Sequence, residues 1–535
     1  MNVRENVGQH SAKKPRVRLR FIVIALVGLL IAAELYALDR HNKLPAVQEE
    51  KVAAKLLFDQ TITQAEQKTI RKKIVEQQKT PKDFASIKAV MSTSEPADAS
   101  LLDIFVPVTS FNSARQEVGE NTLSSEKAVY FSSNIDESIR SQLANKFGLK
   151  TERVKTFQEF SDLPDESVGI VPIDGLRYEL KLLRLDGAYY LDEFTKGAYF
   201  RSAEFEGDGA SQLEGLELRS FKTKDDTLKV NMTGVTALTR VMQKKLTSVG
   251  DPLYFSAKIS EFLADADITH VSNEVSFRDG CAYSNTSFCS PPAFIETLKA
   301  SGVDLVELTG NHNNDNGSEY NTNTINLYHE LGWATVGGGL NAVEAAKPHK
   351  VDQKDSKVTF LAYNFADSPN GGAISSTNRA GANAWDKEKI KADIAEAKNE
   401  NRYVIVDVQY WECYAYPNGF LEYPQCDKPI GDQEEDFKWL IDQGADMVIG
   451  TQAHQPQTYE LYKNQPIYYG LGNLYFEQTS WPGTERGIIL SHYFVDGQLL
   501  QTKLTPTVYD RDLQTRVMTS AEADYLLNRL RDARE

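Results

Sequence analysis

Over residues 229–508 the sequence predicts an α/β domain with much parallel strand pairing. Three observations carry this. Strand-like runs (LKVNMTGV, DITHVSNEVSF, VDLVELTGN, KVTFLAYN, YVIVDVQYWE, ADMVIGTQ, QPIYYGLGN) alternate with helix-like runs (SPPAFIETLKASG, TNTINLYHELG, KEKIKADIAEAKNE, QEEDFKWLIDQG), the pattern of strand–helix–strand units. Five of the strands end in a polar cluster, and the C-terminal edges of strands are where open α/β sheets build their sites. The third is residues 303–317, VDLVELTGNHNNDNG: Val303, Leu305, Val306 and Leu308 make a short apolar run that breaks at Gly310 into Asn, His and Asp. Those residue types tolerate tight-loop backbone angles and include metal-ligating and proton-transferring side chains.

The chain before this domain divides by composition. Residues 1–20 are basic, and 21–38, FIVIALVGLLIAAELYAL, are apolar except for Glu34. With Lys13, Lys14, Arg16, Arg18 and Arg20 in front, this predicts a single-pass membrane anchor with its basic flank in the cytoplasm. A cleaved signal peptide is the alternative. Both place the bulk of the chain outside the cytoplasm, at the cell membrane. Residues 39–98 are polar and rich in Lys, Gln, Glu and Ala, which predicts a stalk, part helical and part loose. Residues 99–228 hold their own strands (LLDIFVPVTSF, KAVYFSSN, SVGIVPIDGL) and an amphipathic helix, DESIRSQLANKFGL. They predict a smaller α/β domain, as a structural spacer or a solute-sensing module. Residues 509–535 predict a surface helix.

Charge and cysteines set the compartment and exclude one class of partner. The 535-residue chain has a formal net charge of −16, which argues against nucleic acid, since phosphate binding needs basic patches. Four cysteines are present, and three pairings are open to them. Two local disulfides, Cys281 with Cys289 and Cys413 with Cys426, are the simplest and suit an oxidising compartment.

The polar clusters of the main domain are Thr233-Gly234-Val235-Thr236, Ser272-Asn273-Glu274, Gly310-Asn311-His312 with Asp315, Gln409-Tyr410-Trp411-Glu412, Gly450-Thr451-Gln452-Ala453-His454 and Gly470-Leu471-Gly472-Asn473. Histidine and carboxylate bind divalent metals, and Asn and Gln support them through their carbonyls. Taken together, SNE at 272–274, GNHNNDNG at 310–317, WATVGGGLNAVEAA at 333–346, GADMVIGTQAHQPQ at 444–457 and IYYGLGNLYFEQ at 467–478 resemble the CapA family. That family is named for poly-γ-glutamate capsule synthesis and sits in the calcineurin-like metallophosphoesterase superfamily. The resemblance implies a sandwich of two β-sheets flanked by helices, with the site at the strand ends. It places the family's Asn-Glu motif on Asn273 and Glu274, its Asn-His pair on Asn311 and His312, the following Asp on Asp315, and its last histidine on His454.

Three positions depart from the family pattern. Val235 follows Gly234 where the superfamily carries a metal-bridging Asp, Gln409 opens the QYWE segment where a His is usual, and Gln452 replaces one of two paired histidines. Neutral amides are poor first-row ligands. The remaining metal candidates, Glu274, His312, Asp315 and His454, with Glu412, suffice for one divalent ion rather than two. Glu412, His312 and His454 are the candidate acid–base residues. Asn273, Asn311, Gln409, Gln452 and Asn473 are the supporting or substrate-binding candidates. Two functions stay open at this point. One is a metal-dependent hydrolase or transferase acting on an envelope polymer. The other is a catalytically altered binding or scaffold protein that recognises such a polymer or its synthesis machinery, with Tyr410, Trp411, Tyr414, Tyr416 and Trp481 available to stack on sugar rings.

Overall fold

The computed structural model describes residues 51–96, 100–284, 286–411, 432–478, 481 and 483–534. The predicted anchor at 21–38, Glu412 and the Cys413–Cys426 pair lie outside these residues. Among the described residues no helix is long and apolar enough to cross a membrane. The described residues fall into two compact units, one within residues 1–91, 96–102 and 201–220 and the other within residues 92–95, 103–200 and 221–535.

In the first unit the strand Leu56–Phe58 pairs in parallel with Ala85–Ser94, and the helix Gln64–Glu76 lies between them in sequence. A capping box opens the helix: Thr63 and Glu66 each bond the other's backbone N–H. Ile70 and Ile74, four residues apart on one helix face, join Val52, Leu56, Ile87, Leu213 and Leu216 in a core. The described part of the stretch expected to be a stalk is therefore folded. Its scattered apolar positions are those that helical and strand periodicity bring to one side.

In the second unit the main domain is a mixed α/β fold built on two sheets. In the first sheet Thr227–Thr236, Ile268–Asn273, Val303–Glu307 and Ala334–Val336 run parallel, and Arg486–Val495 extends it antiparallel from Thr227–Thr236. In the second, Ser356–Asn364, Tyr403–Gln409, Met447–Thr451 and Gln465–Tyr468 run parallel. Val230, Met232 and Leu305 of one sheet meet Phe360, Ile405 and Ile449 of the other in a common core. The outer face of the first sheet is covered by the helices Val241–Val249, Ile295–Ala300 and Ser318–Glu330, through Met242, Leu298 and Ile325. Lys387–Asn399 and Gln433–Asp442 cover the second sheet through Ile390, Ile394, Phe437 and Leu440. The expected two-sheet sandwich flanked by helices is thus what the chain forms.

Strand alternation decides what faces the interior. Val404, Val406 and Val408 pack under the helices, so Ile405, Asp407 and Gln409 point between the sheets. Two stretches are more integrated than their sequences suggest. Residues 103–200 belong to the same unit as the sandwich: Asp192 accepts from Lys229 (2.8 Å), Lys503 (2.5 Å) and the Tyr493 hydroxyl (2.5 Å). The helix Ser520–Asp532, expected on the surface, sends Leu526, Leu527 and Leu530 into the inter-sheet core; their i, i+1, i+4 spacing is an apolar face and not an exposed one.

Candidate functional site

The polar clusters converge at the C-terminal edges of the parallel strands. Two glycines permit it. A Cβ on Gly234 would lie 2.0 Å from the Gly472 carbonyl oxygen, and one on Gly310 would lie 2.5 Å from the Glu274 Cα. Backbone contact this close brings the GLGN turn against Thr227–Thr236, and the GNHNN loop against Asn273-Glu274. An isolated parallel bridge from Val275 to His312 records the second approach.

His454 is buried and held by a reciprocal clamp. Its Nδ1 lies 2.9 Å from Asn473 Oδ1, and Asn473 Nδ2 donates to the His454 carbonyl (3.0 Å) and the Thr484 carbonyl (2.9 Å). With Oδ1 as acceptor, Nδ1 carries the proton, and Nε2 turns to the buried Glu274 carboxylate, 4.0 Å away. Phe476 packs on the ring at 4.8 Å. His312 is oriented the same way by a different group. Its Nδ1 lies 2.9 Å from Asp315 Oδ2, which also accepts from the Phe288 backbone N–H (2.9 Å), and the Phe288 ring meets the imidazole edge-on at 4.6 Å. Asp315 therefore acts first as the orienter of His312. Asn273 is buried and donates to the Val275 carbonyl at 2.7 Å, holding its own turn.

The two neutral replacements meet each other. The Gln409 amide lies 2.6 Å from that of Gln452 and 3.2 Å from that of Asn311. The Gln409 nitrogen donates to the Gln452 and Asn311 side-chain oxygens, and its oxygen accepts from Asn364 Nδ2. Gln452 holds φ at +77°, a left-handed conformation costly for a non-glycine residue. Val235 is buried in an apolar cluster with Ala237, Val275 and Phe476.

Several contributors escaped sequence reasoning. Asn364 ends the strand Ser356–Asn364; its amide nitrogen bonds Gln409 and the Thr309 carbonyl (2.8 Å). Its position at the end of KVTFLAYN is the signal that could have marked it. Asp367 follows, its backbone N–H bonding Asn364 Oδ1 at 2.7 Å. Burial pushes the Asp367 carboxyl up, the Asn364 hydrogen bond and the His312 ring pull the other way, and the net shift is upward. Beneath the site, Asp407 lies 3.3 Å from His270 Nε2, and Glu307 accepts from the Thr309 backbone N–H at 2.6 Å. Burial, and then Asp407, raise the Glu307 carboxyl above its ordinary range. His270 thus sits in a buried polar layer between the sheets.

Of the candidate stacking residues, Tyr410 is buried against Phe365 (ring centres 4.1 Å) while Trp411 is exposed. Tyr414 and Tyr416 lie outside the described residues. The Cys281–Cys289 disulfide forms as expected.

The donor set does not fit a two-ion centre. Val235 cannot ligate, Gln409 and Gln452 bond each other, and Asp315 is committed to His312 and a backbone N–H. Among the described residues no group of three or more His, Cys, Asp or Glu could hold a metal ion.

Residues 229–478 match the family profile described as bacterial capsule synthesis protein PGA_cap. The capsule biosynthesis protein CapA of Bacillus anthracis is 24% identical over 51% of this chain and 65% of its own length, so the chain spans just under two thirds of that relative. The PGA biosynthesis protein CapA of Bacillus subtilis is 22% identical over 56% of this chain and 75% of its own. A solved structure, the calcineurin-like phosphoesterase YfkN of Bacillus subtilis, aligns over 58% of this chain and 99% of its own at 11% identity and a TM-score of 0.31. Through residues 229–478, with the SNE, GNHNNDNG and TQAHQPQ segments gathered at the strand ends, the chain is similar to the CapA capsule biosynthesis proteins.

Proposed function

We propose that this chain is a single-pass, membrane-anchored, extracytoplasmic protein of capsule or poly-γ-glutamate synthesis that recognises an envelope polymer without two-metal chemistry. One observation supports this above the others. Where a two-ion centre needs an aspartate and two histidines, the chain carries a buried Val235 and two amides, Gln409 and Gln452, in contact at 2.6 Å. The imidazoles survive, each oriented through Nδ1 by a fixed acceptor. Oriented imidazoles and amides suit the recognition of carbonyl and carboxyl groups along a polyamide. The anchor in this reading is residues 21–38.

A second reading, a hydrolase, is favoured by one arrangement: the buried Glu274 carboxylate and His454 Nε2 face each other at 4.0 Å, two groups of the types that serve as acid and base. The full chain, extracted in detergent, separates the two readings. Metal analysis after dialysis against Mn, Fe, Zn, Mg and Ca, and poly-γ-glutamate binding in EDTA, are measured for wild type and His312→Ala/His454→Ala. The expected result is binding that survives EDTA and weakens about tenfold in the double variant. One equivalent of metal, lost in the double variant and accompanied by phosphoester or amide cleavage, would establish the hydrolase instead.

A further inference from the structure

The geometry points to Arg240 as the anion-binding residue of this site, a fixed guanidinium for a carboxylate or phosphate oxyanion of the ligand. The inference rests on the strand-end cluster being the recognition site, and it names the chemistry of what is recognised.

Arg240 ends the short loop, residues 237–240, that joins the strand Thr227–Thr236 to the helix Val241–Val249. Its guanidinium carbon lies 4.8 Å from the centre of the Phe476 ring and 5.4 Å from that of Phe288. These are the rings that pack on His454 (4.8 Å) and His312 (4.6 Å). The cation is therefore bracketed by two aromatic faces, each of which touches one site imidazole on its way.

Three further features mark a placed group and not a solvated surface arginine. The backbone of Arg240 holds φ 50° and ψ −115°, outside the usual regions for a non-glycine residue. Conformations of this kind persist where the surroundings impose them, and they cluster at functional sites. One terminal nitrogen donates to the Glu477 backbone carbonyl, which fixes the plane of the guanidinium. Its Nε is buried and has no hydrogen-bond partner. Among the described residues no carboxylate lies within ion-pair distance of it. A partly buried guanidinium stacked between rings, with donors to spare and a neutral acceptor as its protein partner, is set up for an external oxyanion. The nearby acids do not contest this. Asp315 is committed to His312 and to the Phe288 backbone N–H, and Glu274 faces His454.

The chemistry also fits the loss of metal ligands. A divalent ion and a guanidinium both supply positive charge to a bound anion, and the guanidinium needs no acidic ligands of its own. With Val235 in place of an aspartate, the loop carries its cation on the chain.

The test uses the full chain in EDTA with two probes, inorganic phosphate and a γ-linked triglutamate, to separate a phosphate source from a carboxylate one. Affinity is measured by calorimetry at two salt concentrations for wild type, Arg240→Gln, Arg240→Lys and His312→Ala/His454→Ala. Wild type is expected to bind at least one probe, more weakly at higher salt. Arg240→Gln should lose about 10- to 100-fold and most of the salt dependence, and Arg240→Lys should recover part of the affinity while lacking the planar fork. A purely structural arginine would change the melting temperature and leave the salt dependence as it was. Wild-type affinity in Arg240→Gln, or no binding of either probe by wild type, overturns the inference; if Arg240→Gln does not fold, full wild-type affinity in Arg240→Lys does the same for the bidentate role. If the histidine variant loses binding while Arg240→Gln keeps it, only the role of Arg240 falls. If neither variant changes binding, the recognition site itself is misplaced.

Discussion

Gly234→Ala is expected to destabilise the main domain by about 3–4 kcal/mol. The new methyl group would sit 2.0 Å from the Gly472 carbonyl oxygen, 2.8 Å from the Gly472 carbonyl carbon and 3.0 Å from the Leu471 carbonyl oxygen, all of them backbone. No side-chain rotation relieves such a clash, so the GLGN turn must move away from Thr227–Thr236. That motion breaks the Val235 N–H to Gly472 carbonyl bond of 2.9 Å and the register that sets Val235 against Asn473. Asn473 is the residue that clamps His454, so the effect reaches function as well. The urea midpoint of Gly234→Ala should fall well below that of wild type, and the His454 imidazole resonances should shift. A variant with the wild-type midpoint would mean that the two backbones are not in contact here.

Asp192→Asn is expected to cost about 3 kcal/mol, because it leaves Lys503 and Lys229 partly buried with their shared counter-charge gone. Lys229 retains Asp265 at 3.0 Å, while among the described residues Lys503 pairs with no carboxylate other than Asp192. The acid dependence follows from the same geometry. Burial alone would raise the Asp192 carboxyl, but Lys503 and Lys229 outweigh it and hold it at about 2. An unfolded-chain Asp titrates near 3.9. The folded value is the lower one, so the stabilisation is fully present above about pH 4 and is lost as the pH falls from about 4 to about 2. It amounts to about 2–3 kcal/mol, and Asp192→Asn should flatten the stability–pH curve of the wild-type protein in that window. Parallel curves for the two proteins would show that the network does not hold residues 103–200 to the sandwich.

Much of the site was legible because it sits at strand ends. The segments SNE, GNHNN and TQAH each follow an apolar run, and a parallel sheet carries every such run to the same edge. Gln409 and Gln452 stood out as amides where ligands are usual, and the structure shows what became of them. What stayed hidden depends on partners far apart in the chain. Asn364 bonds Gln409 across 45 residues, Asp407 meets His270 across the sandwich, and Arg240 reaches the histidines through Phe288 and Phe476. None of these pairings has a local sequence signature, since the same residue types on a solvated loop read identically.

The sequence by itself determined the α/β class of the main domain and the strand ends that carry its polar clusters. These follow from periodicity and residue type, which are local properties. Only the tertiary structure decided that Asp315 orients His312, that Gln409 meets Gln452, that residues 103–200 join the sandwich through Asp192, and that the C-terminal helix belongs to its core. Each of these is a choice of partner, made by burial and by the need of every buried polar group for a hydrogen bond. Such choices exist only once the two sheets have met.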